Sequence, residues 1–110
     1  MAINVSDVER ALGFYTGTLG LVARTDRPDF GIAGAWLDAG GQQVHLVEAA
    51  PAPSVGQHFA LRVGDLEAVT AELREAGFEV SDVLVTEGVS RQAFVKDPDG
   101  NDVELHQRLD

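Results

Sequence analysis

The chain repeats its own residue pattern at an offset of about 58 positions. Residues 3–9 align with residues 61–67 at an offset of 58, and residues 38–46 align with residues 97–105 at an offset of 59. Few aligned residues are identical, but apolar, acidic and glycine positions recur in the same order. A repeat of this kind is typical of a supersecondary unit that occurs twice. We therefore expect two related modules that follow one another along the chain.

The length of the chain limits how independent these modules can be. A chain of 110 residues is enough for one ordinary domain, and half of that length cannot bury a core of its own. The proline-containing run at residues 50–54 marks the junction between the halves. The sequence therefore predicts a single domain over residues 1–110, with a first module at about 1–49, a linker at about 50–56 and a second module at about 57–110.

Each module begins with the same succession of a strand and a helix. Apolar residues alternate with other residues at positions 3–5 and 59–63, as in a strand with one buried face. Asp7 and Asp65 follow, and an aspartate at this position accepts hydrogen bonds from the first turn of a helix. Apolar residues then recur at helical spacing, and each stripe ends at a glycine. The stripes are Val8, Leu12, Tyr15 and Leu19 before Gly20, and Leu66, Val69, Leu73 and Ala76 before Gly77.

Short strand-like segments follow each predicted helix. They lie at residues 35–37 and 43–48 in the first half, and at 78–85, 92–96 and 102–107 in the second. Residues 24–34 contain a proline and several small residues and give no clear pattern. Each half is therefore interpreted as a strand, a helix and about three strands, which predicts an α+β fold.

Three runs of residues resemble the vicinal oxygen chelate superfamily: VSDVERALGFYTGTLGL at 5–21, HFALRV at 58–63 and FVKDPDGNDVEL at 94–105. This superfamily includes glyoxalase I, methylmalonyl-CoA epimerase, fosfomycin-modifying enzymes, extradiol dioxygenases and bleomycin resistance proteins. The resemblance covers nearly the whole chain. It implies two βαβββ modules in tandem that form a curved, mostly antiparallel eight-stranded sheet around a concave pocket. It also implies a divalent metal ion in many members, and homodimers.

Three side chains able to bind a metal, His45, His58 and Glu104, lie on the non-core face of their predicted strands. Two histidines and one carboxylate suit Fe, Mn, Ni, Co or Zn and leave positions open for substrate oxygens. The resemblance assigns metal-ligand roles to His58 and Glu104, whereas His45 stands where glyoxalase I has a glutamate and the epimerase a glutamine. The remaining family ligand would precede Met1. Either the native start lies further upstream, or the site is incomplete.

Four further residues are candidates for the substrate pocket. Asn4 and Arg62 occupy matched positions of the repeat on the same strand face as the ligands, where Arg62 can meet an anionic substrate or stay a solvated arginine at the rim. Trp36 can stack on a planar substrate or belong to the core. His106 shares a strand face with Glu104, so it can orient that carboxylate, line the pocket or lie at the surface.

These residues lead to two functional hypotheses. The first is a metal-dependent enzyme of the glyoxalase/dioxygenase type, with lyase or isomerase chemistry foremost, that acts on a small oxygenated metabolite or antibiotic through bidentate metal chelation. Glu104 is then the catalytic carboxylate, and two-base isomerisation is disfavoured because His45 replaces the opposing glutamate. The alternative is a metal-free protein that binds a small molecule or antibiotic, as bleomycin resistance proteins do.

Charge and composition restrict the partners and the location. The net charge is −10, so phosphate backbones and anionic membrane surfaces repel the chain at long range, and we expect neither as a partner. No run approaches the ~18 uninterrupted apolar residues of a spanning helix, and the N-terminus lacks a basic region followed by an apolar one. We therefore predict a cytoplasmic protein. Exposed sheet edges favour a homodimer.

Overall fold

The structure, a computed structural model, describes residues 1–109. They form two compact units, each with one four-stranded sheet. The first unit comprises Met1–Pro53 and Asp97–Asn101, and the second comprises Ser54–Lys96 and the chain from Asp102 onwards. The predicted end of the second module at residue 110 lies outside the described residues.

The first unit contains four strands and one helical segment. The elements are β1 (Ala2–Val5), α1 (Val8–Leu12), a π-helical turn (Gly13–Thr18), β2 (Val22–Ala23), β3 (Gly34–Ala39) and β4 (Gln42–Glu48). The strand order is β1-β4-β3-β2. Strand β1 is parallel to β4, while the β4–β3 and β3–β2 pairs are antiparallel.

The second unit repeats this arrangement. Its elements are β5 (His58–Arg62), α2 (Leu66–Glu75), β6 (Leu84–Thr86), β7 (Ser90–Lys96) and β8 (Asp102–Arg108). The strand order is β5-β8-β7-β6, with β5 parallel to β8 and the other pairs antiparallel. The predicted fold class, α+β with tandem βαβββ modules and mostly antiparallel pairing, is confirmed.

The repeat extends to the register of the strands. In the first unit Ala2 pairs with His45, and in the second Ala60 pairs with Glu104. These two pairs are related by the offsets of 58 and 59 that the sequence shows. His45 and Glu104 are therefore equivalent positions of the two modules.

Both helices begin where the sequence predicts. Asp7 accepts a hydrogen bond from the backbone N–H of Arg10, and Asp65 accepts one from that of Ala68, each at 3.2 Å. Gly77 follows the second helix with a φ of 93°, a conformation that glycine adopts without steric cost.

The first helix differs from its prediction because its last six residues form a π-helix. A π-helix bonds residue i to residue i+5, as the N–H of Leu19 does to the carbonyl oxygen of Phe14 at 2.9 Å. The wider turn directs the adjacent Phe14 and Tyr15 into the core, whereas Leu12 and Leu19 stay partly exposed. The predicted α-helical stripe was therefore wrong in this segment.

The predicted strand at 78–85 was also largely wrong. Only Leu84–Thr86 forms a strand, and upstream of it a single bridge joins Val80 to Val95. The Ser81 hydroxyl accepts from the N–H of Phe94 at 2.8 Å and so takes a hydrogen bond that a backbone carbonyl would otherwise accept.

The helix side of each sheet holds the core of its unit. The buried apolar strand residues are Val5, Leu37, Val44 and Leu46 in the first unit, and Ala93, Val95, Val103 and Leu105 in the second. The candidate site residues alternate with these, so they lie on the opposite sheet face. Within residues 1–109, no helix is long and apolar enough to cross a membrane.

Candidate functional site

In the second unit, strands β5, β8 and β7 bring polar side chains into rows on the face opposite the core. Cross-strand register defines each row, because paired residues project to the same side. The three rows are His58–Asp102–Lys96, Ala60–Glu104–Phe94 and Arg62–His106–Gln92.

His58 and Glu104 converge within these rows. The Nε2 atom of His58 lies 3.1 Å from Oε1 of Glu104. The two side chains are 34% and 16% exposed, so both remain open to a ligand. A histidine nitrogen and a carboxylate oxygen at this separation need a proton or a cation between them.

The other ring nitrogen of His58 fixes the orientation of the imidazole. Nδ1 lies 3.0 Å from the carbonyl oxygen of Gly56, and only a protonated Nδ1 can form this bond. The bond raises the pKa of His58; burial partly opposes the rise and the neighbouring Glu104 adds to it. Nε2 is therefore the atom that His58 presents to Glu104.

Glu104 is held from its other side by His106. Nδ1 of His106 lies 2.9 Å from Oε2 of Glu104. The carboxylate thus contacts one histidine through each oxygen, and these contacts fix its position on β8.

The margin of the site carries an ion pair and an aromatic ring. Lys96 donates to Asp102 at 2.6 Å, and the hydroxyl of Ser54 donates to the same carboxylate. These hydrogen bonds, with that of Lys96 the stronger influence, lower the pKa of Asp102. The ring of Phe94 meets His58 edge to face, with centroids 5.0 Å apart.

In the first unit, His45 forms a different arrangement. Its imidazole stacks on the indole of Trp36 with centroids 4.5 Å apart and planes 11° apart. Its Nε2 lies 2.9 Å from Oε1 of Gln43. Phe30 lies against the indole at 6.1 Å, and the guanidinium of Arg27 lies 5.1 Å above the Phe30 ring.

The matched pair Asn4 and Arg62 differ in their contacts. The Asn4 side-chain amide donates to the carbonyl oxygen of Ala50 at 3.2 Å, so its hydrogen-bonding capacity is partly taken. Arg62 is exposed and lies in register with His106.

The donor set of the second unit fits part of a divalent metal site. His58 and Glu104 offer an imidazole nitrogen and a carboxylate oxygen, which suit Mn, Fe, Co, Ni and Zn. Among residues 1–109, however, no group of three or more His, Cys, Asp or Glu side chains is arranged to hold a metal ion. The second unit thus brings together two of the three predicted ligands, His58 and Glu104.

Sequence reasoning missed Phe94 and the carbonyl group of Gly56 as parts of the site. A signal for Phe94 was present, because it stands 58 residues after Trp36 and is therefore its repeat partner. No sequence signal marked the Gly56 carbonyl, since any residue supplies a carbonyl group and only the loop path decides which one faces a histidine.

The tandem βαβββ modules match one class of proteins, the glyoxalase-like proteins. The Glyoxalase/Bleomycin resistance protein/Dioxygenase superfamily matches the chain over residues 1–105. The protein belongs to this superfamily.

Three relatives illustrate the range of that class. The chain is 27% identical to a lactoylglutathione lyase of Salmonella typhimurium over 98% of its own length and 90% of that protein. It is 28% identical to the Arabidopsis thaliana protein "Glyoxylase I 4" over 89% of its own length, but spans only 63% of that relative. The antibiotic binding protein TnmS3 from Streptomyces sp. CB03234 is 31% identical, with a TM-score of 0.79 and coverage of 98% of this chain and 92% of TnmS3.

Proposed function

We propose that the protein is a metal-dependent enzyme of the vicinal oxygen chelate type. It acts on a small oxygenated metabolite or antibiotic, with lyase or isomerase chemistry as the reaction class. The observation that carries the proposal is the 3.1 Å approach of His58 Nε2 to Glu104 Oε1. Each side chain is also fixed by a second contact, as is usual for metal ligands.

Each residue has a defined role in this proposal. His58 and Glu104 bind the divalent ion, and His106 holds the Glu104 carboxylate in position. A bound divalent ion supplies Lewis acidity that stabilises negative charge on two neighbouring substrate oxygens. Glu104 is also the carboxylate that accepts the proton removed from a substrate carbon, through Oε1, the oxygen that His106 does not contact.

The roles of the other predicted residues remain proposals. The prediction that His45 is a further ligand stays a prediction, and a His45→Ala variant tests it. Homodimer formation and a cytoplasmic location also stay predictions. A mass near 11.7 kDa by light scattering at micromolar concentration would contradict the dimer.

Metal titration of the purified protein tests the proposal directly. We expect stoichiometric binding of Mn, Fe, Co, Ni or Zn by calorimetry, and loss of that binding in His58→Ala and Glu104→Gln. Glu72→Gln is the matched control, because Glu72 is an exposed glutamate on α2 and the charge change is the same. No stoichiometric binding of any of these ions would refute the enzymatic proposal.

A second candidate function is the binding of an antibiotic or other small molecule without chemistry. It is favoured by a cluster of aromatic side chains in the first unit, in which Trp36 stacks on His45 and Phe30 lies against the indole. Such rings offer planar surfaces to a flat ligand. The 31% identity to an antibiotic binding protein supports the same candidate, and the charge of −10 favours cationic ligands.

The chain contains one tryptophan, which makes this candidate easy to test. A cationic antibiotic that carries a flat aromatic group, such as bleomycin, should quench Trp36 fluorescence in metal-free protein. Phe30→Ala should weaken the interaction without altering metal binding. Unchanged fluorescence with bleomycin and a panel of flat aromatic antibiotics would remove the support that Trp36 gives to this function.

A further inference from the structure

Arg62 differs from the other cationic side chains of the protein. Of the eight Lys and Arg residues, it is the one for which residues 1–109 provide no hydrogen bond, ion pair or ring contact. Arg10, Arg24, Arg91 and Lys96 form ion pairs. Arg27 and Arg74 donate to backbone carbonyl groups, and Arg108 has an interaction partner as well.

The position of Arg62 connects it to the candidate site. It lies on β5, four residues after His58, and on the same sheet face. In register it pairs with His106, one row beyond the Ala60–Glu104 pair. Adjacent rows are about 7 Å apart along the strand, a distance that a small organic substrate can span.

The net charge of the protein makes the unpaired side chain of Arg62 a local exception. With a net charge of −10, the chain as a whole repels anionic molecules. An unpaired guanidinium beside the site can attract an anion in spite of this repulsion, since it can form two parallel hydrogen bonds to a carboxylate or phosphate group. Carboxylates from the protein itself neutralise several of the other cations but not this one.

We propose that Arg62 determines substrate specificity by binding an anionic oxygen group, a carboxylate or a phosphate. The anionic group of the substrate then lies at the strand row of Arg62, and the other substrate oxygens lie near Glu104, in the adjacent row. The inference rests on the proposed function, because it takes His58 and Glu104 as the centre of the site.

A pair of matched chelators tests this inference. Catechol and 3,4-dihydroxybenzoate share two neighbouring hydroxyl groups, and only the latter has a carboxylate on the far side of the ring. Calorimetry on the protein with added Mn²⁺, in the absence of dioxygen, gives the dissociation constants of both chelators. The preference for 3,4-dihydroxybenzoate should be about 10-fold or more, as expected for a charge-assisted contact. Arg62→Gln should remove the preference and leave catechol binding unchanged, and Arg62→Lys should restore part of it.

Arg74→Gln is the matched control, because it removes the same charge from α2 and should keep the preference. Equal affinity for both chelators in the wild type, with binding that depends on Mn²⁺, would overturn the role of Arg62 and leave the proposed function intact. If neither affinity responds to Mn²⁺, the proposed metal function fails. In that case, a preference for 3,4-dihydroxybenzoate that Arg62→Gln removes still supports the contact between Arg62 and the anionic group. If the wild type shows no such preference, that contact is overturned.

Discussion

Nδ1 of His106 lies 2.9 Å from Oε2 of Glu104, on the carboxylate oxygen that His58 does not contact. The two residues are separated by one position on β8, so their side chains share one face of the strand. His106 therefore contacts the candidate site through Glu104.

Replacement of His106 by phenylalanine should weaken metal binding about 10- to 100-fold, the usual effect of losing a hydrogen bond to a metal ligand. The dissociation constant for Mn²⁺ measures this effect. His106→Asn should restore part of the affinity, since its amide can donate to the same oxygen. Equal affinities for wild type and His106→Phe, with an unchanged melting temperature, would show that His106 does not position Glu104.

Removal of the Tyr15 hydroxyl should destabilise the protein by about 1–3 kcal/mol, because a buried polar group loses its partner. The hydroxyl donates to Oδ2 of the buried Asp97 at 2.8 Å. Asp97 also accepts from the backbone N–H groups of Asp99 and Asn101, so its carboxylate organises the turn. Urea unfolding of Tyr15→Phe measures the loss. A variant as stable as the wild type would mean that water replaces the hydroxyl.

The same tyrosine should make stability fall at alkaline pH. Burial raises the pKa of Tyr15 above its usual value, and the Asp97 carboxylate raises it further. The folded state thus favours the neutral phenol: this stabilisation is complete below pH about 10, the pKa of an unfolded tyrosine, and is lost as the pH rises further. Tyr15→Phe should show a flatter stability profile above that pH.

Absorbance of the phenolate provides an independent measurement, because the chain has only one tyrosine. The phenolate should form over the same pH range in which the protein unfolds, and circular dichroism measures that unfolding. Ionisation of Tyr15 near pH 10 in a folded protein would contradict the prediction.

Gly34→Ala should destabilise the first unit by about 1–3 kcal/mol through steric overlap in the sheet. A Cβ atom at Gly34 would overlap the backbone carbonyl oxygen of Leu46 and approach the guanidinium of Arg27 at 2.7 Å. Gly41→Ala is the control, since no atom lies within 4 Å of its Cβ position. Thermal unfolding of both variants tests the difference, and equal melting temperatures would show that β4 adjusts to the added methyl group.

Much of the fold was predictable because the information lies in local periodicity. The caps at Asp7 and Asp65, and the strands around His45 and Glu104, follow from patterns that repeat along the chain. The π-helical turn was not predictable, because a wider turn that brings Tyr15 to Asp97 depends on a partner 82 residues away.

The sequence by itself determined the two modules, their α+β class and the strand faces that carry His45, His58, Arg62, Glu104 and His106. Such features depend on residue type and spacing, which a repeat makes visible. Only the tertiary structure decided which atoms meet: Nε2 of His58 at one oxygen of Glu104, His106 at the other, and His45 on the ring of Trp36. These contacts depend on strand register and side-chain rotamers, and both are set by packing among residues distant in sequence.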